Sequence, residues 1–237
     1  MSVNHDRSTP WSAADLAALN ARFRDRPPEE LLAWAAERFG EQTALTCSFG
    51  GASGMVLLDL VARRRLPITI LFLDTDLLFP ETYHLAAEVE RRYGLTVKRQ
   101  RPALSLEEQA RRHGPELYAR DPDRCCAIRK VAPLAEALRP YRAWVSGIRR
   151  EQTAQRAATE LAAWDARHGL LKLSPLAAWS EREVWAYIQA HQVPYNPLLD
   201  RGYPSLGCAP CTCPASPDNP RAGRWSGFAK TECGIHG

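Results

Sequence analysis

The sequence predicts an α/β fold, a parallel sheet covered by helices and followed by a loop-rich C-terminal segment. Three observations carry this. Strand-like and helix-like stretches alternate from residue 43 onward. The strands, "ITILFLD" above all, are apolar throughout, as strands buried on both faces must be. From Pro194 the chain turns dense in proline and glycine, which excludes long helices or strands there.

Taken in order, "SAADLAALNARF" is a helix entered at an N-cap serine, and "PPEELLAWAAERFG" one with proline at its entry and glycine at its exit. "TALTCSF" is a strand, "GMVLLDLVARR" a helix, "ITILFLD" a strand, and "PETYHLAAEVERRYG" a long helix closed by Gly94. "LTVKRQ" is a further strand; "LSLEEQARRHG" and "CCAIRKVAPLAEAL" are helical, the second until Pro140. "AWVSGI" is another core strand, and "SEREVWAYIQAHQ" an amphipathic helix with a serine cap. The expected domains are N-terminal helices over 1–40, an α/β nucleotide-binding body over 41–193, and a segment over 194–237 that holds a C-x-x-C and a mobile tail.

Hydrophobic residues make up 45% and charged residues 24%, enough for a real core, and the net charge of +4 suits a small anionic substrate without pointing to nucleic acid. The start, "MSVNHDRSTPW", has no signal pattern, and no apolar run reaches membrane-span length, so a cytoplasmic protein is expected. In that compartment seven cysteines point to metal binding or redox catalysis rather than disulfides.

Ligands of open α/β sheets bind beyond the carboxyl ends of the strands, which directs attention to three loops. "CSFGGASG" places Ser48, Gly50, Gly51 and Ser53 between strand and helix, where backbone N–H groups and a helix N-terminus can hold an oxyanion. It matches neither G-x-x-x-x-G-K-[ST] nor G-x-G-x-x-G, and a tight turn is the bland alternative. "LDTD" offers Asp74 and Asp76 as a helix cap, metal ligands or nucleotide contacts. "SGIRREQTAQR" offers Arg149, Arg150 and Arg156, whose guanidinium groups match phosphate or sulfate oxygens, against the alternative of an exposed basic helix start.

Cys125 and Cys126 are adjacent, and "GCAPCTC" adds Cys208, Cys211 and Cys213. Adjacent cysteines fit neither a disulfide with each other nor a zinc ribbon of two C-x-x-C pairs, but with Cys208 and Cys211 they give four sulfur ligands, for zinc or iron–sulfur. Cys47 is expected to be a small buried apolar residue, and Cys213 a spare.

The stretches "CSFGGASGMVLLDL", "LFLDTDLLFPETY", "CCAIRKVAPL", "SGIRREQTAQRA", "VPYNPLLDRGYPSLGCAPCT" and "KTECGIHG", in that order, resemble the assimilatory sulfonucleotide reductases over residues 40 to 237. With all four cluster cysteines present, the resemblance is to the subgroup acting on adenosine 5′-phosphosulfate (APS) rather than on its 3′-phosphorylated form, PAPS. It implies an adenine nucleotide α-hydrolase-like fold and a [4Fe-4S] cluster on Cys125, Cys126, Cys208 and Cys211. It implies too that Cys233 is the nucleophile, forming an S-sulfocysteine that a thioredoxin or glutaredoxin resolves to sulfite. No thioredoxin-like domain is expected after Gly237, so the thiol partner is expected in trans; a homo-oligomer stays open.

Carried over residue by residue, the resemblance puts Ser48, Gly50 and Ser53 in a pyrophosphate loop and Asp74 and Thr75 at the adenosine pocket. Arg149, Arg221 and Arg224 are expected at the phosphosulfate, and Lys130, one helical turn from Cys126, between cluster and sulfate. Lys230 and His236 flank the thiol, His236 counted with the substrate contacts, while Glu232 opposes ionisation and has no explanation from charge. The sequence departs from the family pattern at "GGASG", without the usual acidic residue, and at Asp76, where glycine is usual. Three rivals remain: a PAPS reductase that kept the cluster, an ATP pyrophosphatase-type enzyme such as an ATP sulfurylase subunit, and a non-catalytic iron–sulfur or zinc sensor that binds a nucleotide.

Overall fold

The computed structural model describes residues 10–216 and 219–236. In chain order the elements are α1 (Ala13–Phe23), α2 (Pro28–Phe39), β1 (Thr43–Thr46), α3 (Ala52–Arg63), β2 (Thr69–Leu73), α4 (Pro80–Tyr93), β3 (Val97–Gln100) and α5 (Leu106–His113). They continue with α6 (Leu117–Arg120), α7 (Pro122–Cys126), α8 (Ala132–Leu138), β4 (Ala143–Val145), β5 (Ala162–Asp165), β6 (Leu170–Leu173) and α9 (Glu181–His191). The expected helix ends carry their caps. Ser12 Oγ accepts the Asp15 N–H at 3.1 Å, and Ser105 and Ser180 form capping boxes with Glu108 and Glu183. Each such cap satisfies an N–H that the helix leaves unpaired, worth about 1 kcal/mol. Gly94 closes α4 in the left-handed region at φ 62°, which a residue with a Cβ enters only at a cost.

The strand order is β3-β2-β1-β4-β6-β5. β1 pairs parallel with β2 (Leu45 opposite Ile70) and with β4 (Leu45 opposite Val145), and β4 pairs parallel with β6. β5 and β6 form an antiparallel hairpin at one edge, turned at Gly169, whose N–H reaches Asp165 O at 2.8 Å. This hairpin and the short helix α6 are additions to the elements the sequence predicts: each piece is four residues long and partly polar, so the apolar pattern does not mark it.

The chain forms two compact units. The first holds the residues up to Cys47, Ser53–Leu71 and Leu138–Val193. Its core is built from Leu31, Leu32, Leu45, Leu57, Leu58 and Trp144, all at most 2% exposed. Trp144 satisfies its buried indole N–H on Thr46 Oγ1 at 2.8 Å, so the large ring is buried without a polar penalty. The second unit holds Ser48–Ala52, Phe72–Ala137 and Pro194–Gly237. There Phe49 and Phe72 meet edge to face at 5.1 Å, with Leu85, Ala86 and Val89 buried on α4. Among its described residues the loop-rich C-terminal segment contributes only 3₁₀ turns at Pro197–Arg201 and Ala209–Cys211 and isolated bridges, as its proline and glycine content predicts.

Candidate active site

All four paired cysteines lie in the second unit. Asp121 caps α7 by accepting the Arg124 N–H, Pro122 starts the helix, and Cys125 and Cys126 end it, both buried. Directly after them, residues Ala127–Val131 widen into a π-helical turn, the Ala132 N–H reaching back to Ala127 O. A π-turn inside an α-helix costs hydrogen-bond geometry and tends to mark functional positions. It also means that Cys126 and Lys130 are not spaced by the α-helical turn expected of them.

Cys208 and Cys211 bracket a 3₁₀ turn closed by the Cys211 N–H on Cys208 O at 3.0 Å. The backbone at Cys208 is tied to the "LDTD" loop, by a bridge to Leu78 and by the Ala209 N–H on Leu77 O at 2.7 Å. Burial, reinforced by the charges of Cys126 and Cys208, pushes the Cys125 thiol up to about 11. Burial and Cys208 push Cys211 up to about 12, and burial also raises Cys126. Cys125, Cys126 and Cys211 thus resist ionisation as bare thiols, and such donors need a cationic partner to become thiolates. Among the described residues no group of three or more His, Cys, Asp or Glu side chains gathers as ligands of one metal ion.

Lys130 is a cation whose charge acts on Cys126 and Cys211. Burial works to lower its pKa, but the negative charge available at Cys208 and Cys233, and then at Cys126, outweighs burial and holds it above the ordinary lysine value. Cys233, on the tail, thus acts on the same lysine as the paired Cys126 and Cys208. Cys233 itself is partly exposed.

Several contacts hold the tail there. Arg221 donates through Nη2 and Nε to Thr231 O at 2.5 and 3.2 Å, and through Nη2 to Glu232 Oε2 at 3.1 Å. Lys230 forms an ion pair with Asp123, two residues before Cys125. Glu232, which charge alone could not explain beside Cys233, is thus the carboxylate through which Arg221 fastens the tail there.

Arg224 and Trp225 complete the neighbourhood. Thr212 bridges Arg224, the Cys213 N–H reaches Gly223 O at 2.8 Å, and the Trp225 N–H reaches Cys211 O at 3.1 Å, so this pair runs beside the C-x-x-C. Gly207 makes room for it: a Cβ there would stand 2.1 Å from Arg224 Nη2. Arg224 lies 4.4 Å over the Trp225 ring, with Lys230 at 5.3 Å and Arg221 at 5.8 Å, three cations on one buried indole. Arg224 Nη1 donates to Leu206 O at 3.0 Å, while its buried Nε has no hydrogen-bond partner among the described residues.

The "LDTD" loop is a network rather than a free pair of carboxylates. Asp74, 1% exposed, accepts from Tyr83 Oη at 2.8 Å, the Asp76 N–H at 3.0 Å and Arg101 Nε at 3.3 Å. Burial, with the Asp74 hydrogen bond and charge, raises the Tyr83 pKa and keeps it a donor. Thr75 Oγ1 lies 3.3 Å from Cys208 Sγ, which joins the expected adenosine loop to a paired cysteine. Asp76 takes a positive φ of 58° and pairs with Arg129 Nη2 at 2.5 Å.

In the glycine-rich loop, Ser48 Oγ accepts the Gly50 N–H at 3.3 Å within the second unit. Ser53 belongs to the first unit, where it accepts Arg149 Nε at 3.0 Å. Arg149, 3% exposed, also donates to Glu151 at 2.6 Å, Glu181 at 2.8 Å and Trp179 O at 3.1 Å. His236 is partly exposed, and Cys47 and Cys213 lie outside the cysteine group as expected, Cys47 buried beside Met55 and Cys213 exposed. Sequence reasoning did not single out Arg129, Gln109, Asp123 or Trp225. Only Arg129 carried a signal, as the neighbour of Lys130 in a helix predicted to run on from the paired cysteines.

A parallel-sheet α/β fold whose strand-end loops and buried thiols surround cations defines a nucleotide-type redox protein with cysteine chemistry. The phosphoadenosine phosphosulfate reductase domain matches residues 42–214, and the chain belongs to that family. It is 47% identical over 99% of its length to the adenosine 5′-phosphosulfate reductase of Salinibacter ruber, covering 93% of that protein. It is 47% identical to adenosine 5′-phosphosulfate reductase 1 of Bacillus subtilis, over 87% of this chain and 89% of that one. The crystal structure of the Candida auris phosphoadenylyl-sulfate reductase, a phosphate complex, superposes with a TM-score of 0.78 at 32% identity, covering 87% of this chain and all of that one.

Proposed function

We infer that this chain reduces adenosine 5′-phosphosulfate to sulfite and AMP in sulfate assimilation, through a covalent intermediate on Cys233. The observation that carries this reading is the docked tail: Lys230 pairs with Asp123, two residues before Cys125, and Arg221 holds Glu232 beside Cys233, whose charge, with that of the paired cysteines, keeps the Lys130 pKa up. Similarity to proteins named for this reaction supports it.

The chemistry follows from the groups at hand. The Cys233 thiolate attacks the sulfate sulfur, the bond from that sulfur to the phosphate oxygen breaks, and AMP leaves with the electron pair. An S-sulfocysteine remains. A thiolate of a thioredoxin- or glutaredoxin-type dithiol attacks the Cys233 sulfur and sulfite departs. The partner's second thiol then releases Cys233, so the dithiol is oxidised to a disulfide and sulfur is reduced by two electrons. Lys130 and Arg224 face the charge that develops on the transferring group and need no rearrangement to do so. Ser48, Gly50, Ser53, Asp74, Thr75, Arg149, Arg221 and His236 are read as the surrounding substrate contacts.

Cys125, Cys126, Cys208 and Cys211 hold a [4Fe-4S] cluster in this account. The donor set fits: four sulfurs from two segments, Cys125, Cys126 and Cys208 buried and Cys211 half-buried, with burial raising the Cys125, Cys126 and Cys211 thiols, which a cationic partner would bring down. A cluster of four irons takes one cysteine per iron, so its ligands need not gather about a single point. When bound, the cluster supplies fixed charge beside Lys130, while both electrons come from thiols. Seven free cysteines suit a reducing compartment, the cytoplasm, and no helix among the described residues is long and apolar enough to cross a membrane.

The test is sulfite release by the holoprotein with a thioredoxin and its reductase, APS and PAPS being offered separately. The account expects turnover of APS, with kcat/KM for PAPS lower by at least about 100-fold, since a 3′-phosphate without its own cation leaves a buried charge unpaired. Equal or better turnover of PAPS would reassign the substrate. Full activity in Cys233→Ser would remove the covalent route and favour a thiol-independent role.

A further inference from the structure

We propose that Gln109 is a positioning residue for Cys125, its side-chain N–H fixed toward the Cys125 sulfur by the guanidinium of Arg129. The inference rests on the iron–sulfur reading of the four cysteines above.

Gln109 is 4% exposed on α5, a helix otherwise charged and solvated. A buried amide must place its oxygen and its nitrogen, and an isolated one would have no reason to choose. Arg129 makes the choice. A guanidinium can only donate, and Arg129 Nη1 stands 3.1 Å from the Gln109 oxygen, so the oxygen faces Arg129 and the NH₂ is left 4.0 Å from Cys125 Sγ. Sulfur accepts at longer range than oxygen, and a thiolate bound to iron carries more charge than a thiol, which strengthens such a bond.

Arg129 can set this orientation because it has no freedom of its own. It is 1% exposed and donates to Thr75 O at 2.6 Å, Asp76 Oδ2 at 2.5 Å and Leu104 O at 3.3 Å. Two of these partners belong to the "LDTD" loop. Asp76, the residue that departs from the family's usual glycine, thus holds the arginine that aims the amide at Cys125. A chain of fixed donors and acceptors runs from that loop to a cluster ligand, and Asp76, Arg129 and Gln109 are not among the substrate contacts named above.

The experiment compares the anaerobically purified holoprotein with Gln109→Glu and Gln109→Leu. Gln109→Glu keeps an oxygen for Arg129, so the variant retains its fold, but turns an acceptor rather than a donor toward the sulfur. We expect the Fe–S stretching bands in resonance Raman to shift, and iron loss to a chelator to accelerate about 10-fold, as for other partners of metal ligands, while thermal melting of the protein is unchanged. Gln109→Leu, which removes both bonds, should show the same spectral change together with a lower melting temperature.

Raman bands and iron loss in Gln109→Glu that match the parent would overturn the proposal. So would iron loss that merely follows melting temperature in both variants, since Gln109 would then be structural. A parent protein without iron and sulfide would instead remove the cluster itself, and the inference with it.

Discussion

Arg149 and Arg224 carry the same side chain and the same expectation of binding the phosphosulfate, yet the two units treat them in opposite ways. In the first unit Arg149 spends its N–H groups on Ser53, Glu151, Trp179 O and Glu181. In the second, Arg224 meets carbonyl and hydroxyl oxygens, lies on Trp225, and keeps a buried Nε without a partner among the described residues. A guanidinium already neutralised by two carboxylates gains little from an anion, because it must first give up those pairs. One that is desolvated and only partly satisfied gains more. Position after a strand names an arginine as a candidate, but its carboxylate neighbours decide whether the charge is available.

The comparison is sharpened most by Arg224→Ala. Losing an aimed cation at developing charge should lower kcat/KM by about 100-fold with folding nearly intact, read from steady-state sulfite release beside a urea melt. Arg149→Ala should show the opposite balance. Stability should fall by about 2 kcal/mol in urea unfolding, because a buried side chain with four bonds is lost, while activity of the folded fraction changes less than in Arg224→Ala. If Arg149→Ala instead spared stability and abolished activity, the division between the two arginines would be wrong.

Asp76→Gly sets two effects against each other. Glycine relieves the positive φ, worth about 1 kcal/mol, but leaves the buried Arg129 without its carboxylate, a loss of about 3 kcal/mol for a fully buried pair and less for one whose acid is partly exposed. A net destabilisation of about 1 kcal/mol is expected, measured by the midpoint of urea unfolding. Stabilisation would mean that the ion pair contributes nothing.

The smallest expected effect is at the tail. Glu232→Gln weakens a partly exposed pair with Arg221, worth about 0.5 kcal/mol, so alkylation of Cys233 by iodoacetamide should speed up about 2-fold as the tail releases more often. A slower alkylation would contradict the fastening role of Glu232.

The regular elements were legible because their signals are local. Ser12, Ser105 and Ser180 cap the helices they precede, and "ITILFLD" is apolar because both faces of β2 are covered. The cysteine candidates were also visible locally, as two adjacent thiols and a C-x-x-C, and both segments fall in the second unit. What sequence reasoning could not reach depends on distant partners. Arg129 reaches Gln109 across 20 residues and Asp76 across 53, and nothing in either neighbourhood announces the other. Glu232 had no explanation until Arg221, 11 residues earlier, was found beside it. Asp74, expected as a cap, a metal ligand or a nucleotide contact, accepts from Tyr83 and Arg101, residues nine and 27 positions away.

The central claim is that Cys233 carries the sulfur of the substrate as a covalent adduct. Intact mass spectrometry of the holoprotein mixed with APS in the absence of any reductant tests it most directly. The account predicts the addition of one SO₃ group, absent in Cys233→Ser and discharged by a thioredoxin-type dithiol. An unmodified mass in a protein that retains its iron and binds the nucleotide would contradict it.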